Sequence, residues 1–121
     1  MQEYKLIVAG GRDFSDMQRL CNEIFSLAHG ELYNHAVSIV SGMARGADNM
    51  AATFADVNKV QLHKFPADWD KYGKAAGHIR NKAMAEFADG LLAFWDGKSR
   101  GTKNMIQTME AMGKDVRVIR Y

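Results

Sequence analysis

Three loops of this chain combine glycine with arginine, two residue types that suit the binding of phosphate. Each follows a short apolar run, and the loops read Gly10-Gly11-Arg12, Ser41-Gly42-Met43-Ala44-Arg45-Gly46 and Trp95-Asp96-Gly97-Lys98-Ser99-Arg100-Gly101-Thr102. Glycine allows backbone N–H groups to approach an anion, and the arginine guanidinium offers a fork of donors to phosphate oxygens. Because parallel strands place such loops at one edge of a sheet, the pattern predicts a phosphate- or nucleotide-binding crevice there. Arg12 could instead be solvated or paired with Asp13.

The second loop carries polar groups that a sugar phosphate needs. Ser41 can donate to a phosphate or ribose oxygen, while Gly42 and Gly46 expose backbone donors. Asp48 falls in the first turn of the following helix, where a carboxylate either stabilises the helix dipole or binds ribose. Both roles stay open. The loop is not a Walker loop, because no Gly-Lys-Ser/Thr sequence closes it.

A helical stretch at residues 76–84 adds further polar candidates. It places His78, Arg80 and Asn81 beside a predicted apolar face that comprises Ala75, Ile79, Ala83 and Phe87. Glycine inside a helix costs roughly 1 kcal/mol relative to alanine, so Gly77 indicates that another group approaches the backbone. An ordinary charged helix surface is the alternative.

The third loop leads into the last helix, where Thr102 is the predicted N-cap and a free N–H can also bind phosphate. Trp69 and Trp95 follow the third and fourth predicted strands, and each can either stack on a base or serve as a structural side chain. No catalytic residue is identified, and no metal or cofactor is expected. The candidate ligand-binding residues are Gly10, Gly11, Arg12, Ser41, Gly42, Arg45, Gly46, Asp48, Trp69, His78, Arg80, Asn81, Trp95, Gly97, Gly101 and Thr102.

Composition limits the class of protein. The 121 residues, 47% hydrophobic and 25% charged, are expected to form one domain. No apolar run approaches the roughly 20 residues that span a membrane, and residues 1–5 do not resemble a secretion signal. Cys21 alone can form no intrachain disulfide. A cytoplasmic protein with no membrane association is therefore expected, and a net charge of +2 argues against nucleic acid as the ligand.

Alternating strand and helix patterns predict a three-layer α/β sandwich with a mainly parallel sheet. We expect the strand order 3-2-1-4-5, because it places a switch point between the first and fourth strands. The strands are predicted at about residues 4–9, 37–41, 60–65, 91–95 and 116–120. A capping box from Ser15 to Gln18 is predicted to start the first helix, and Gly113 to end the last one. The predicted buried faces comprise Met17, Leu20, Ile24 and Leu27, then Ala47, Met50, Ala51, Phe54 and Val57, and finally Met105, Ile106, Met109 and Met112.

Together these motifs resemble the SLOG superfamily, a Rossmann-like group that includes the LOG phosphoribohydrolases and the DNA-processing protein DprA. The pattern of its YspA-type branch, a domain of unknown function, is similar to Gly11-Arg12-Asp13, Ser41-Gly42-x-x-x-Gly46-x-Asp48, Trp69, Ala76-Gly77-x-x-Arg80-Asn81-x-x-Met84 and Gly101-Thr102. The resemblance covers essentially the whole chain. It implies a nucleotide or ADP-ribose-type ligand, a link to phage or bacterial conflict systems, and a homodimer.

One departure from the LOG pattern concerns catalysis. The resemblance aligns Gly101-Thr102 with the Gly-Thr of the LOG loop, and Met105 then stands where LOG enzymes have their catalytic glutamate. Methionine cannot take part in proton transfer, so a LOG-type reaction is not expected unless Asp13, Asp48 or Asp96 substitutes.

Three functions therefore compete. The first is binding of a small phosphate-bearing nucleotide or ADP-ribose-type ligand, as a sensor, sponge or carrier. The second is hydrolysis of an N-glycosidic or phosphoester bond in such a ligand. The third is binding of single-stranded DNA, which the near-neutral charge and the absence of a basic-aromatic stripe disfavour.

Overall fold

Five parallel strands form one sheet in the order β3-β2-β1-β4-β5, as predicted. The structure is a computed structural model that describes all residues from 1 to 121. The strands are β1 (Gln2–Gly10), β2 (His35–Ser41), β3 (Leu62–Lys64), β4 (Gly90–Trp95) and β5 (Asp115–Arg120). Since every neighbouring pair is parallel, all three glycine-bearing loops leave the same edge of the sheet, as the sequence predicts.

The central strand β1 explains the three layers. Leu6, Ile7 and Val8 are at most 2% exposed, because β1 lies between β2 and β4 and is covered on both faces. Leu6 and Val8 belong to one core cluster, whereas Ile7 packs in the other with Met84. A strand buried on both sides needs apolar residues at every position, which accounts for its unbroken hydrophobic run.

The helices are α1 (Met17–His29), α2 (Ala47–Val57), α3 (Trp69–Tyr72), α4 (Ala76–Phe87) and α5 (Arg100–Ala111). The first two cover one face of the sheet and the last two cover the other. The short α3 and the 3-10 turn Gly73–Ala75 that follows it were not predicted. Helix α5 ends just before Gly113, which has a φ of +69° and thus supplies the predicted stop. None of the helices combines the length and the apolar character needed to cross a bilayer.

Two predicted helix caps are wrong by a few residues. Helix α1 is capped by Asp16 rather than Ser15, since the Asp16 side chain accepts a hydrogen bond of 3.0 Å from the Arg19 N–H. Helix α5 is capped by Ser99, whose Oγ accepts from the N–H of Thr102 at 3.4 Å. In both cases the side-chain oxygen lies three residues before the N–H that it satisfies, which is the geometry that a cap requires.

The predicted apolar face of α4 is also wrong. Ile79 is 42% exposed, Phe87 is 37% exposed, and Ala75 and Ala83 are exposed too. The helix instead buries Ala76, Asn81, Met84 and Ala85. The physical reason is that the polar side chains on the buried face of α4 find hydrogen-bond partners inside the protein, so that their burial costs little free energy.

Two smaller errors concern the ends of buried faces. Val57, the last residue of α2, is exposed rather than buried, and so is Met112, which caps α5. Both residues stand at the end of a helix, and neither packs against a core cluster even though its spacing is correct. The remaining predicted faces of α1, α2 and α5 are buried or half-buried.

Lys114 closes the C-terminal end of α4. Its Nζ donates to the carbonyl oxygens of Ala85, Ala88 and Glu86 at 2.6, 2.7 and 3.1 Å. An ammonium group at this end of a helix satisfies unpaired carbonyls and complements the helix dipole.

We therefore expect Lys114→Met to lower the free energy of unfolding by about 1–2 kcal/mol. Urea denaturation of the variant and the wild type measures the difference. The matched control is Lys103→Met, because Lys103 is exposed on α5 and makes no side-chain hydrogen bond. Equal losses in the two variants would contradict a capping role for Lys114.

Candidate functional site

A crevice of about 510 Å³ opens at the carboxyl edge of the sheet, where β1 and β4 lie side by side. The neighbouring connections leave this pair of strands in opposite directions along the sheet, which makes it the switch point of the fold. Most of the predicted residues line the crevice, namely Gly10, Gly11, Arg12, Arg45, Asp48, Trp69, His78, Arg80, Asn81, Gly101 and Thr102. Gly42 lines an adjoining cavity of about 360 Å³ that shares its arginines.

Four predicted residues are placed elsewhere. Ser41 is fully buried, and its Oγ donates to the Asp48 carbonyl at 2.9 Å and accepts from the Met43 N–H at 3.0 Å. Trp95 donates from Nε1 to the Ser99 carbonyl at 3.1 Å. Ser41 and Trp95 therefore hold loops in place. The remaining two, Gly46 and Gly97, also lie outside the crevice lining.

Gly46 joins the first two loops. Its φ of +87° suits glycine, and a Cβ at this position would lie 2.8 Å from backbone atoms of Arg12. Beside it, the Ala47 N–H donates to the Gly11 carbonyl at 3.4 Å. Only a residue without a side chain lets the two loops touch, so Gly46 helps to position Arg12.

Three arginines line the crevice, of which two are exposed and one is half-buried and anchored. Arg12 and Arg45 are exposed, and their side chains make no hydrogen bond or ion pair within the protein. Arg80 is half-buried and held in place, because its Nη1 donates to the Gly42 carbonyl at 2.6 Å. A lysine that the sequence analysis missed, Lys74, adds a fourth positive charge; its only sequence signal is its position just before the polar helix.

Arg80 is anchored at more than one point. Nη1 also lies 3.5 Å from the Phe65 carbonyl, and Nε donates to Asn81 Oδ1 at 3.0 Å. Burial lowers the pKa of Arg80, the negative charge of Asp48 opposes that effect, and the positive charge of Arg12 adds to it. Arg12 and Arg80 therefore repel each other across the crevice.

Asp48 is the carboxylate with the most unusual environment. It is only 5% exposed, and burial raises its pKa from 3.8 to about 6. The charge of Arg80 and the backbone N–H groups of Ala44 and Gly10 act in the opposite direction. A carboxyl group whose pKa approaches neutrality can accept or release a proton under physiological conditions.

The other two acidic side chains of the crevice have local structural partners. Asp96 Oδ1 accepts from the N–H groups of Lys98 and Ser99 at 2.8 Å each, and these bonds hold the pKa of Asp96 below its usual value. Asp13 Oδ1 accepts from the Tyr121 hydroxyl at 2.6 Å. Asp48 is therefore the best placed of the three to take part in proton transfer.

The start of α5 supplies free backbone donors. The Thr102 N–H is bound to Ser99, but the N–H groups of Arg100 and Gly101 make no hydrogen bond within the protein. Gly101 lines the crevice, whereas Arg100 does not. Unpaired N–H groups at a helix N-terminus attract anions.

An aromatic platform stands at the rim. Trp69, the first residue of α3, is 50% exposed and lines the crevice. Its ring packs on α4 at Gly77, where a Cβ would lie 3.5 Å from the indole, so a group does approach this glycine as predicted. That distance is an ordinary contact, and alanine would therefore also fit.

The raised pKa of Asp48 predicts a dependence of stability on pH. In the unfolded chain this carboxyl loses its proton near pH 3.8, whereas in the folded chain it does so near pH 6. The folded state thus binds more protons between these values, and its stability falls as the pH rises through them. Asparagine does not titrate, so the free energy of unfolding of Asp48→Asn should not fall in this way. We expect its difference from the wild type to shift in favour of the variant by about 2–3 kcal/mol from about pH 4 to about pH 7. Urea denaturation of both proteins at the two pH values measures the shift. The same difference in unfolding free energy at both pH values would contradict the prediction.

Comparisons with known proteins agree with the motifs described above. The model of the YspA, cpYpsA-related SLOG family matches residues 4–72, which include the first two loops and Trp69. The Gene 61 protein of Mycobacterium phage D29 is 31% identical over an alignment of 117 residues, and the match covers 90% of this chain and 90% of the phage protein. No solved structure matches the chain. This chain belongs to the YspA, cpYpsA-related SLOG family.

Proposed function

We propose that this protein binds a small phosphate-bearing nucleotide or an ADP-ribose-type ligand in the crevice. Its membership in the SLOG family supports a nucleotide-related ligand. The observation that carries the proposal is that Arg12 and Arg80 line one cavity, where Arg12 has no side-chain partner within the protein and its positive charge acts on Arg80. An anion between two guanidinium groups removes the repulsion between them and makes charge-assisted hydrogen bonds to both.

The size and lining of the crevice support the same ligand class. Its volume of about 510 Å³ lies within the range of roughly 300–1,000 Å³ that is usual for small-molecule sites. The half-exposed indole of Trp69 offers a surface on which a base can stack. The free N–H of Gly101 offers a further donor for phosphate. Phosphate and base thus each have a chemically suitable partner.

Hydrolysis of such a ligand is the second candidate, and one observation favours it. Asp48 faces the crevice with a pKa of about 6, so it could act as a general acid or base. The LOG reaction itself is disfavoured, because Met105 stands where LOG enzymes have glutamate. Met105 is 1% exposed and packs in the core with Met84 and Met109, even though it borders the crevice.

A role as sensor, sponge or carrier follows from binding without turnover. The relative in Mycobacterium phage D29 supports a link to phage, and a role in bacterial conflict systems stays a prediction. A second copy of this chain stays a predicted partner, and measurement of the mass in solution tests that prediction.

The binding proposal predicts separate effects on affinity and on stability. Arg12→Ala and Arg45→Ala should each weaken the binding of ADP-ribose at least about tenfold, because each removes a charge-assisted contact. Their melting temperatures should stay close to that of the wild type, since neither side chain has a hydrogen-bond partner in the protein. Isothermal titration calorimetry and thermal melts provide the two measurements.

Arg19→Ala is the matched control, because Arg19 is an exposed arginine on α1 that lies outside the crevice. It should leave the affinity unchanged. If Arg12→Ala and Arg45→Ala also leave the affinity unchanged, the crevice is not the binding site.

The environment of Met105 generates a further prediction. Met105→Glu should lower the free energy of unfolding by about 3 kcal/mol or more, because the substitution buries a charge with no cationic partner. Met112→Glu on the same helix is the control and should have a small effect, since Met112 is exposed. Urea denaturation measures both. A stable Met105→Glu protein would show that this position opens to the crevice and can hold a catalytic carboxylate.

A further inference from the structure

Asp48 and Arg80 present unused hydrogen-bonding capacity on one wall of the crevice. No side-chain donor of the protein reaches the Asp48 carboxylate, although Asp48 is 5% exposed. The Nη2 of Arg80 also makes no hydrogen bond within the protein, because the bonds of this side chain use Nη1 and Nε. The two groups flank Gly42, where a Cβ would lie 2.8 Å from Asp48 Oδ2 and 2.5 Å from Arg80 Nη1.

Contacts of the Asp48 backbone and of the Arg80 guanidinium position the two residues on this wall. The backbone at Asp48 is fixed by the bond from Ser41 Oγ to its carbonyl, at 2.9 Å. The Arg80 guanidinium is fixed by its 2.6 Å bond to the Gly42 carbonyl. Backbone N–H groups of Ala44 and Gly10 act on the carboxylate, but no side-chain donor does, so Asp48 keeps acceptor capacity for a ligand beside the unused Nη2 of Arg80.

The chemistry of this wall restricts what can occupy it. A bare anion would be attracted by the arginines but repelled by Asp48, and a cation would meet the reverse. A neutral hydroxyl next to an anionic group satisfies both, since it donates to the carboxylate while the anion binds the guanidinium groups. In a nucleotide, the ribose hydroxyls occupy that position between phosphate and base.

The location of Trp69 argues against recognition of a base amine by Asp48. The indole that can stack on a base is half-exposed at the rim, whereas Asp48 is buried beside Arg80 and Gly10. A donor that reaches Asp48 must therefore lie close to the phosphate rather than at the far end of the ligand. Ribose meets that requirement, and an exocyclic amine does not.

We propose that Asp48 accepts a hydrogen bond from a ribose hydroxyl while Arg80 binds the adjacent phosphate, so that the crevice selects ribonucleotides over their deoxy counterparts. This inference rests on the nucleotide binding proposed above and names the part of the ligand that is recognised. A site that hydrogen-bonds a hydroxyl rejects the analogue that lacks it, because the buried polar group is then left unpaired.

The first experiment compares ligands on the wild-type full chain by isothermal titration calorimetry. The probes are ADP, 2′-deoxy-ADP, 3′-deoxy-ADP and 2′,3′-dideoxy-ADP, at a pH of about 8 so that Asp48 is ionised. We expect ADP to bind at least about tenfold more tightly than dideoxy-ADP, and the weaker of the two monodeoxy compounds to identify the hydroxyl.

The outcomes separate this inference from the proposed function. Equal affinities for ADP and dideoxy-ADP would overturn the inference and leave nucleotide binding intact. If neither ADP, dideoxy-ADP nor ADP-ribose binds, both the inference and the proposed function fail.

A variant tests the role of Asp48 directly. Asp48→Asn should reduce the preference for ADP over dideoxy-ADP at least about threefold, because the amide is a weaker acceptor than the carboxylate. Its affinity for dideoxy-ADP should stay the same or rise, since a charge that repels phosphate is removed. Asp56→Asn, an exposed position on the same helix, is the control and should preserve the preference. An unchanged preference in Asp48→Asn would overturn the assignment.

Discussion

The polar face of α4 is the interaction on which the crevice depends. Arg80 binds the carbonyl of Gly42 after β2, and Asn81 donates to the Gly101 carbonyl and to Asn104 Oδ1, at 3.3 and 2.9 Å. One helix thereby ties the loop that follows β2 to the start of α5. These bonds connect segments that are far apart in the chain, so the shape of the crevice depends on how α4 is oriented against the sheet. They also explain why two polar side chains occupy an inward face.

The same arrangement maintains unfavourable electrostatic interactions at the centre of the site. Asp48 is held where burial raises its pKa to about 6, and the anchored Arg80 experiences the positive charge of Arg12. Neither feature helps the protein to fold, since both work against the charged forms of these groups. Unfavourable electrostatics that the surrounding structure maintains are typical of binding and catalytic sites. The rest of the fold, with β1 buried on both faces, provides the stability that makes them tolerable.

Much of the fold follows from local patterns. The apolar run of β1 and the alternation of strands with helices predict a parallel sheet covered on both faces, because only that arrangement buries such strands. The glycine–arginine loops predict the crevice, since parallel strands all end at one edge. The caps at Asp16 and Ser99 were missed because neighbouring residues of similar chemistry can cap a helix equally well. The short α3 has no apolar periodicity from which it could be predicted.

The sequence by itself determined the parallel α/β architecture, the edge of the sheet that carries the loops, and the residue types available there. Only the tertiary structure decided which of these residues reach the crevice. Ser41 and Gly46 have the chemistry of ligand-binding residues, yet one satisfies buried backbone groups and the other lets two loops touch. Partners distant in the chain likewise decided which face of α4 turns inward. The hydrogen bonds of Arg80 and Asn81 to Gly42 and Asn104 favour this face, and Ile79 is left exposed. Hydrogen bonds between distant segments leave no periodic signal in the sequence, so their effect appears only in the folded chain.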